Sequence, residues 1–121
     1  MARILNFGSL NLDQVYRVDS FVQPGETKLS RSLETHCGGK GLNQSVAAAR
    51  AGASVWHAGM LGCDGERLLD KLVENGVDVS LLERSEGVSG HAIIQVDDHG
   101  QNCILLFGGT NQALTEAYIN R

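Results

Sequence analysis

The sequence lacks the features that would direct it to nucleic acid, to a membrane or to secretion. Its 121 residues carry 10 Lys and Arg against 14 Asp and Glu, a net charge of −4, whereas non-specific nucleic-acid binding needs a basic face. No apolar run is long enough to span a membrane. The first residues show no sustained apolar core and no small-residue cleavage site, so we expect no secretory signal.

Cysteine is also scarce, and its number is odd. Cys37, Cys63 and Cys103 are widely separated, which is typical of reduced thiols in a cytoplasmic protein. The absence of C-x-x-C and H-x-x-x-H spacings argues against a structural metal site. The hydrophobic content of 42% and charged content of 20% describe an ordinary globular chain, and its length suits one domain of ~100–200 residues.

The most informative stretch begins at residues 38–41, where three glycines surround Lys40. Glycine permits a positive φ and the close approach of another group. The alanine-rich segment 43–51 predicts a helix that ends at Gly52. A helix that begins at a glycine loop offers free N–H groups and the positive end of its dipole, which suits an oxygen-rich ligand.

Two common glycine-loop motifs do not fit this stretch. A Walker A loop would need glycine at Glu34 and Ser or Thr at Gly41, and a dinucleotide fingerprint would need glycine at Gln44. An unrelated nucleotide-binding module is therefore a weak alternative. A glycine turn before an alanine helix, without any function, is the other alternative at this point.

The pattern along the rest of the chain predicts alternating strands and helices. We expect strands at 2–8, 54–61 and 77–82 and helices at 43–51 and 66–75, which indicates a parallel sheet with crossover helices. Asp64 and Gly76 are predicted to cap the second helix at its start and end. The remaining segments give polar strands at 14–21 and 28–36 around the turn at Pro24, a hairpin of strands 90–96 and 102–107, and a further helix over 114–120.

Asn11 and Asp13 follow the first predicted strand and are two residues apart. In an extended chain, side chains at this spacing point to the same side. A carboxamide beside a carboxylate can hold two neighbouring hydroxyl groups of a polyol. The alternative is a simple turn, in which Asn and Asp bond to their own backbone.

The segment GGKGLNQS at 38–45, followed at fixed distances by Gly52 and Gly62, resembles the N-terminal signature of the ribokinase-like (PfkB-type) carbohydrate kinases. The segment GSLNLD at 8–13 resembles the part of that family whose Asn and Asp hold the sugar. The resemblance implies an α/β fold, a three-layer α/β/α sheet with a small β-sheet lid. Residues 1–121 would form the N-terminal part of this domain, with 14–36 and 90–107 contributing lid strands. The alternative for 14–36 is a surface hairpin with no function.

The implied activity is ATP-dependent phosphorylation of a hydroxyl group of ribose or a similar sugar, with ATP and Mg²⁺ as cofactors. The substrate-binding residues carried over from the family are Asn11, Asp13, Gly39, Lys40 and Asn43. Lys40 would contact sugar oxygens or stabilise phosphate charge, the alternative being a solvated lysine. Ribose is ranked first because members that use fructose, other ketoses or nucleosides often differ at Lys40 and Gln44. The resemblance also suggests a homodimer formed through the lid strands.

The resemblance covers only about the first two-fifths of the family's length. The family's general base lies in a later G-A-G-D motif, which is absent here, so no catalytic residue is assigned and the activity of this chain alone is left open. The alternative function is a non-catalytic sugar-binding remnant of the family. The loop at 108–111 resembles one that lines the sugar pocket with backbone groups, and is otherwise an ordinary loop.

Overall fold

A computed structural model describes residues 2–113, 115 and 118 of the chain. Within them, none of the helices is long and apolar enough to cross a membrane. The strands are β1 (Arg3–Phe7), β2 (Asn11–Arg17), β3 (Ser32–Gly38), β4 (Ser54–Ala58), β5 (Met60–Leu61), β6 (Glu83–Arg84), β7 (Gly90–Val96) and β8 (Asn102–Phe107). The helices are α1 (Lys40–Arg50) and α2 (Glu66–Glu74), and a 3₁₀ turn spans Gly109–Ala113.

The first layer of the fold is a parallel pair of strands with a helix packed on it. β1 and β4 pair in parallel, β5 and β6 form a second short parallel pair, and α1 packs on β1 and β4. α2 presents Leu68 and Leu72 to the interior, where both are fully buried, while Val73 of the predicted apolar stripe is exposed. The core is contributed by β2, both helices, β4, β5 and the segments just before β2 and after α2, and comprises Leu10, Leu12, Leu42, Val46, Val55, Leu61, Leu68, Leu72 and Val77.

A separate four-stranded sheet has the strand order β3-β2-β7-β8. β2 is antiparallel to β3 and parallel to β7, and β7 is antiparallel to β8. The turn between β7 and β8 contains Gly100 at φ 78°, which confirms the predicted hairpin. The registers align Asp13 with Ala92, and Ala92 with Leu106, so these side chains share one face of the sheet.

Two predicted strands are wrong in detail. The strand expected at 54–61 is interrupted at Gly59, where a Cβ atom would lie 2.9 Å from the carbonyl oxygen of Gly8; β4 and β5 therefore belong to different sheets. The strand expected at 77–82 is reduced to a single parallel bridge between Trp56 and Asp78. The Asp78 carboxylate accepts hydrogen bonds from the backbone and the hydroxyl of Ser80, which turns the chain instead of extending it.

The two polar strands expected at 14–21 and 28–36 exist with shifted bounds. β2 begins at Asn11 and ends at Arg17, and β3 covers Ser32–Gly38. Asn11 and Asp13 thus lie within a strand, not in a turn. The segment between β2 and β3 turns at Gly25, which has φ 82°, and Lys28 secures it by bonding to the Asp19 carboxylate.

The helices follow the predicted pattern except at the start of α1 and at the N-cap of α2. α1 begins at Lys40, three residues early, because Gly39 at φ 99° reverses the chain before it. Gly52 at φ 100° and Gly76 at φ 78° confirm the predicted helix ends. Asp64 does not cap α2: its carboxylate accepts a hydrogen bond from the backbone of Ser89 at 2.7 Å, and the N-cap is Gly65. The helix predicted over 114–120 lies outside the described residues, apart from positions 115 and 118.

Candidate functional site

A cleft of about 570 Å³ lies between the four-stranded sheet, the start of α1 and the turn after β8. Its walls contain all five residues that the sequence singled out, Asn11, Asp13, Gly39, Lys40 and Asn43. The other residues that line it are Ser9, Ala92, Ile94, Ile104, Leu106, Gly108, Asn111 and Gln112. The structure therefore brings the predicted site residues together, although their role in binding remains a prediction.

The period of two along β2 points Asn11 and Asp13 into the cleft. Gly38 lies opposite Asn11 on the neighbouring strand, and His36 lies opposite Asp13. A Cβ atom on Gly38 would collide with Oδ2 of Asp13. The glycine at 38 thus leaves the space that the Asp13 carboxylate occupies.

The Asp13 carboxylate is an acceptor without a donor among the described residues. It is partly buried, and burial raises its pKa above the ordinary value for aspartate, while the nearby His36 acts in the opposite direction. A partly desolvated carboxylate with no internal partner gains by accepting hydrogen bonds from a ligand. Hydroxyl groups of a polyol could supply them.

Asn11 meets a residue that the sequence did not single out as a side-chain contact. Nδ2 of Asn111 donates to Oδ1 of Asn11 at 2.7 Å. The same side chain bonds to both backbone groups of Leu10, accepting from N–H at 2.9 Å and donating to C=O at 3.1 Å. The loop at 108–111 was predicted to contribute backbone groups or nothing, so its resemblance to a pocket loop was the only signal that pointed to this region.

The glycine loop holds the start of α1 directly against the end of β1. A Cβ atom on Gly41 would lie 2.5 Å from Cα of Gly8, and one on Gly39 would lie 2.8 Å from the carbonyl oxygen of Ser9. That carbonyl accepts a hydrogen bond from the backbone of Leu42 at 3.1 Å. Only glycine permits this approach, which brings Lys40 and the first turn of α1 to the rim of the cleft.

A buried polar network supports the loop from below. Asn6 donates to the Gly41 carbonyl at 2.8 Å and to the Ser45 hydroxyl at 3.0 Å. His57 is fully buried, with Nδ1 2.6 Å from Ser45 Oγ and Nε2 3.1 Å from the Gly8 carbonyl. A carbonyl can only accept, so Nε2 carries the proton and Ser45 donates to Nδ1. Desolvation lowers the pKa of His57, which favours its neutral form.

The wall of the cleft opposite α1 is apolar. Ala92 and Ile94 on β7 and Ile104 and Leu106 on β8 line it. The cleft therefore combines a donor, an acceptor and a lysine at one end with hydrocarbon at the other. This combination suits a small polyhydroxylated ligand that has both hydroxyl groups and C–H faces.

The described residues do not fit a bound Mg²⁺ ion. They contain no group of three His, Cys, Asp or Glu side chains that could hold a metal, and Asp13 is the only carboxylate among the residues that line the cleft. Mg²⁺ is held by oxygen ligands, with carboxylates and substrate phosphates most prominent. No catalytic step through a metal can be derived from these residues.

Comparison with known proteins agrees with the fold and with the motifs. The sequence model of the pfkB family of carbohydrate kinases matches residues 1–120. The ribokinase of Haemophilus influenzae is 37% identical over 117 residues, which are 94% of this chain and 38% of that protein. The ribokinase of Bacillus subtilis is 38% identical over 123 residues, which are 98% of this chain and 41% of that protein.

The fold is that of solved ribokinases. The crystal structure of ribokinase from Cryptococcus neoformans var. grubii serotype A, in complex with ADP, superposes with a TM-score of 0.84 and 39% identity, over 91% of this chain and 35% of that one. The expected α/β ribokinase-like fold is therefore confirmed. The chain spans about two-fifths of the length of the Haemophilus influenzae and Bacillus subtilis ribokinases.

Proposed function

Because the chain belongs to the pfkB family of carbohydrate kinases, we propose that it is the sugar-binding part of an ATP-dependent kinase that phosphorylates a hydroxyl group of ribose or a similar sugar. Ribose is the first candidate because the matching relatives are ribokinases. Asn11, Asp13, Gly39, Lys40 and Asn43 are the proposed sugar-binding residues. The identity of the sugar, the kinase activity and the binding roles of these five residues are all part of the proposal.

One observation supports the proposal above the others. The Asp13 carboxylate lines the cleft and accepts no hydrogen bond from any described residue, and the Asn11 carboxamide stands two positions before it on the same strand face. A carboxylate accepts from hydroxyl groups, and hydrogen bonds to a charged group are stronger than those between neutral groups. Lys40, at the rim, would add a positive charge near sugar or phosphate oxygens.

ATP and Mg²⁺ belong to the proposal through the family alone. Phosphoryl transfer needs a bound nucleotide with its metal, a positioned acceptor hydroxyl and groups that stabilise the transferred charge. The described residues supply only the means to hold the acceptor sugar. We therefore assign the nucleotide, the metal and the general base to parts of the protein other than these residues.

Three further elements of the proposal concern the surroundings of the site. The four-stranded sheet would act as a lid over the sugar, formed by the strands within 14–36 and 90–107. The same strands would join two copies in a homodimer. A cytoplasmic location agrees with three cysteines that form no disulfide.

Calorimetric titration of the native gene product with ribose tests the binding proposal. We expect saturable binding that Asp13→Ala weakens at least about tenfold, since a lost hydrogen bond to a charged group costs about 1.5–3 kcal/mol. Glu86→Ala is the matched control, because Glu86 is an exposed carboxylate that does not line the cleft. Unchanged affinity in Asp13→Ala would reject the assignment of Asp13.

The second candidate function is a non-catalytic sugar-binding remnant of that family, since the residues that line the cleft supply groups that could hold a sugar but no residue assigned to catalysis. Ribose-dependent formation of ADP by the native gene product separates the two candidates. ADP formation establishes the kinase, whereas ribose binding without ADP establishes the remnant. These 121 residues have a mass of 13.0 kDa. We expect the remnant if the intact native product has this mass, and the kinase if its mass is about two to three times larger.

A further inference from the structure

We propose that Asn111 is a positioning residue: it fixes the side chain of Asn11 so that the amino group, and not the oxygen, faces the cleft. The orientation follows from contacts among the described residues. Its consequence for ligand choice rests on the proposed function of the cleft. Asn111 reaches the site across a sequence separation of 100 residues from Asn11.

The orientation of Asn111 itself is set by the backbone of Leu10. The Leu10 N–H can only donate and lies 2.9 Å from one end of the carboxamide, which must therefore be the oxygen. The Leu10 carbonyl can only accept and lies 3.1 Å from the other end, which must be the nitrogen. Leu10 is fully buried in the hydrophobic core, so its two backbone contacts hold the Asn111 carboxamide in one orientation.

The orientation of Asn11 follows from that of Asn111. The Asn111 nitrogen has two hydrogens, one directed to the Leu10 carbonyl and the other to Asn11 at 2.7 Å. The atom of Asn11 that receives it must be Oδ1, since two amino groups cannot bond to each other. Nδ2 of Asn11 is left over, and it donates to no described residue.

The backbone around the two carboxamides leaves no space for a side-chain atom at position 90. Gly90 lies opposite Asn11 on β7, and a Cβ atom there would collide with Asn111 Nδ2 and lie 2.5 Å from Asn11 Oδ1. The turn that carries Asn111 is anchored separately. Thr110 donates from its backbone to the Val88 carbonyl at 3.0 Å and from its hydroxyl to the Met60 carbonyl at 3.3 Å.

The result is a fixed order of donor and acceptor along β2. Asn11 offers N–H groups to the cleft, and Asp13 offers an unpartnered carboxylate. This order selects a ligand whose one hydroxyl accepts a hydrogen bond while its neighbour donates one, the arrangement of a vicinal diol. If Asn11 could rotate freely, it would offer an oxygen as readily as a nitrogen, and analogues that lack one hydroxyl would be rejected less strongly.

Asn111→Asp in the native gene product tests the proposal. The substitution keeps the shape but places an oxygen against both acceptors of the Asn111 nitrogen, the Leu10 carbonyl and Asn11 Oδ1. The backbone carbonyl cannot invert, whereas the Asn11 carboxamide can, so we expect Asn11 to invert. We expect the affinity for ribose to fall about tenfold, the scale of a hydrogen bond that is lost with its partner left unsatisfied. We also expect the ratio of the affinities for ribose and its monodeoxy analogues to narrow.

Two controls separate positioning from a general loss of structure. Thr110→Val removes the bond to Met60 from the same turn without touching Asn11, so it should lower the melting temperature and leave the affinity ratio unchanged. In an Asn11→Ala background, Asn111→Asp should change ribose affinity less than twofold, because its effect passes through Asn11. A full effect of Asn111→Asp in that background would overturn the proposal.

A spectroscopic measurement tests the orientation without any ligand. The ¹⁵N–¹H signals of the Asn11 side chain, identified by their loss in Asn11→Ala, should shift in Asn111→Asp and stay in place in Thr110→Val. Unshifted signals in Asn111→Asp would overturn the proposal. If the wild-type protein binds neither ribose nor its analogues, the proposed function fails, and the signals alone then decide the orientation.

Discussion

Gly38 and Asp13 share one volume on neighbouring strands: a Cβ atom on Gly38 would collide with Oδ2 of Asp13 and lie 3.0 Å from its Cγ. The conflict involves the far end of a side chain, which can rotate away, and not the backbone. A side chain at position 38 would therefore displace the carboxylate from the cleft without breaking the pairing of β2 and β3. The glycine at position 38 is therefore needed to position the Asp13 carboxylate and not to pair the two strands.

Gly38→Ala should consequently impair ligand binding more than stability. We expect the affinity for ribose to fall at least about tenfold, as for a lost hydrogen bond to a charged group, with a modest change in melting temperature. Titration calorimetry and thermal unfolding of the same samples provide the two measurements. Gly87→Ala is the matched control, since a Cβ atom there meets only Thr110 Cγ2 at 3.7 Å, and it should alter neither property. A Gly38→Ala protein with wild-type affinity would contradict the prediction.

Asp13→Asn should stabilise the protein while it weakens binding. Burial raises the pKa of Asp13, so the folded state favours the protonated form and the ionised carboxylate costs stability above that pKa. The neutral amide removes this cost, and we expect the melting temperature at pH 7 to rise by up to about 4 °C. The difference from wild type should shrink as the pH falls through the pKa of Asp13. A lower melting temperature at pH 7 would show that the carboxylate has a stabilising partner.

His57 should make the fold sensitive to mild acid. Desolvation lowers its pKa in the folded state, whereas in the unfolded chain histidine titrates near its ordinary value of about 6.5. As the pH falls below that value, His57 binds a proton in the unfolded state but not in the folded state. The free energy of unfolding should therefore fall by up to about 1.4 kcal/mol per pH unit until the folded pKa is reached.

Urea unfolding between pH 7 and pH 5 measures this effect in wild type, His57→Gln and His99→Gln. His57→Gln should be less stable at pH 7, because the Ser45 and Gly8 contacts are disturbed, and its pH dependence should be flatter. His99 is exposed on the turn between β7 and β8, so His99→Gln should keep the wild-type slope. Equal slopes for all three proteins would rule out His57 as the origin of the acid sensitivity.

Residues 1–121 produced as an isolated chain should be marginally stable and prone to aggregation. Leu5 on β1 is 55% exposed and Leu105 on β8 is 69% exposed, and both strands carry further exposed apolar side chains. Exposed apolar strands are templates for pairing with other chains. We expect a broad, poorly reversible thermal transition with light scattering. A sharp and reversible transition of a soluble monomer would refute this expectation.

The parts of the fold that were predictable depend on local physics. Gly52 and Gly76 end their helices because a positive φ is inexpensive only for glycine. The period of two along a strand was enough to place Asn11 and Asp13 on one side. The predicted strands at 54–61 and 77–82 failed because the close approach of Gly8 to Gly59 and the turn at Asp78 do not appear in a pattern of apolar residues.

The sequence by itself determined the family, through the glycines and the Lys at 38–41 and their distances to Gly52 and Gly62, and it determined which five residues to expect at the site. Only the tertiary structure decided how that site is presented. Asn111 reaches Asn11 across 100 residues. Gly38 and Gly90 have no side chain of their own, and neighbouring side chains fill the space that this leaves. Contacts of this kind depend on strand register and chain crossing, which arise from the packing of the whole chain and leave no local pattern.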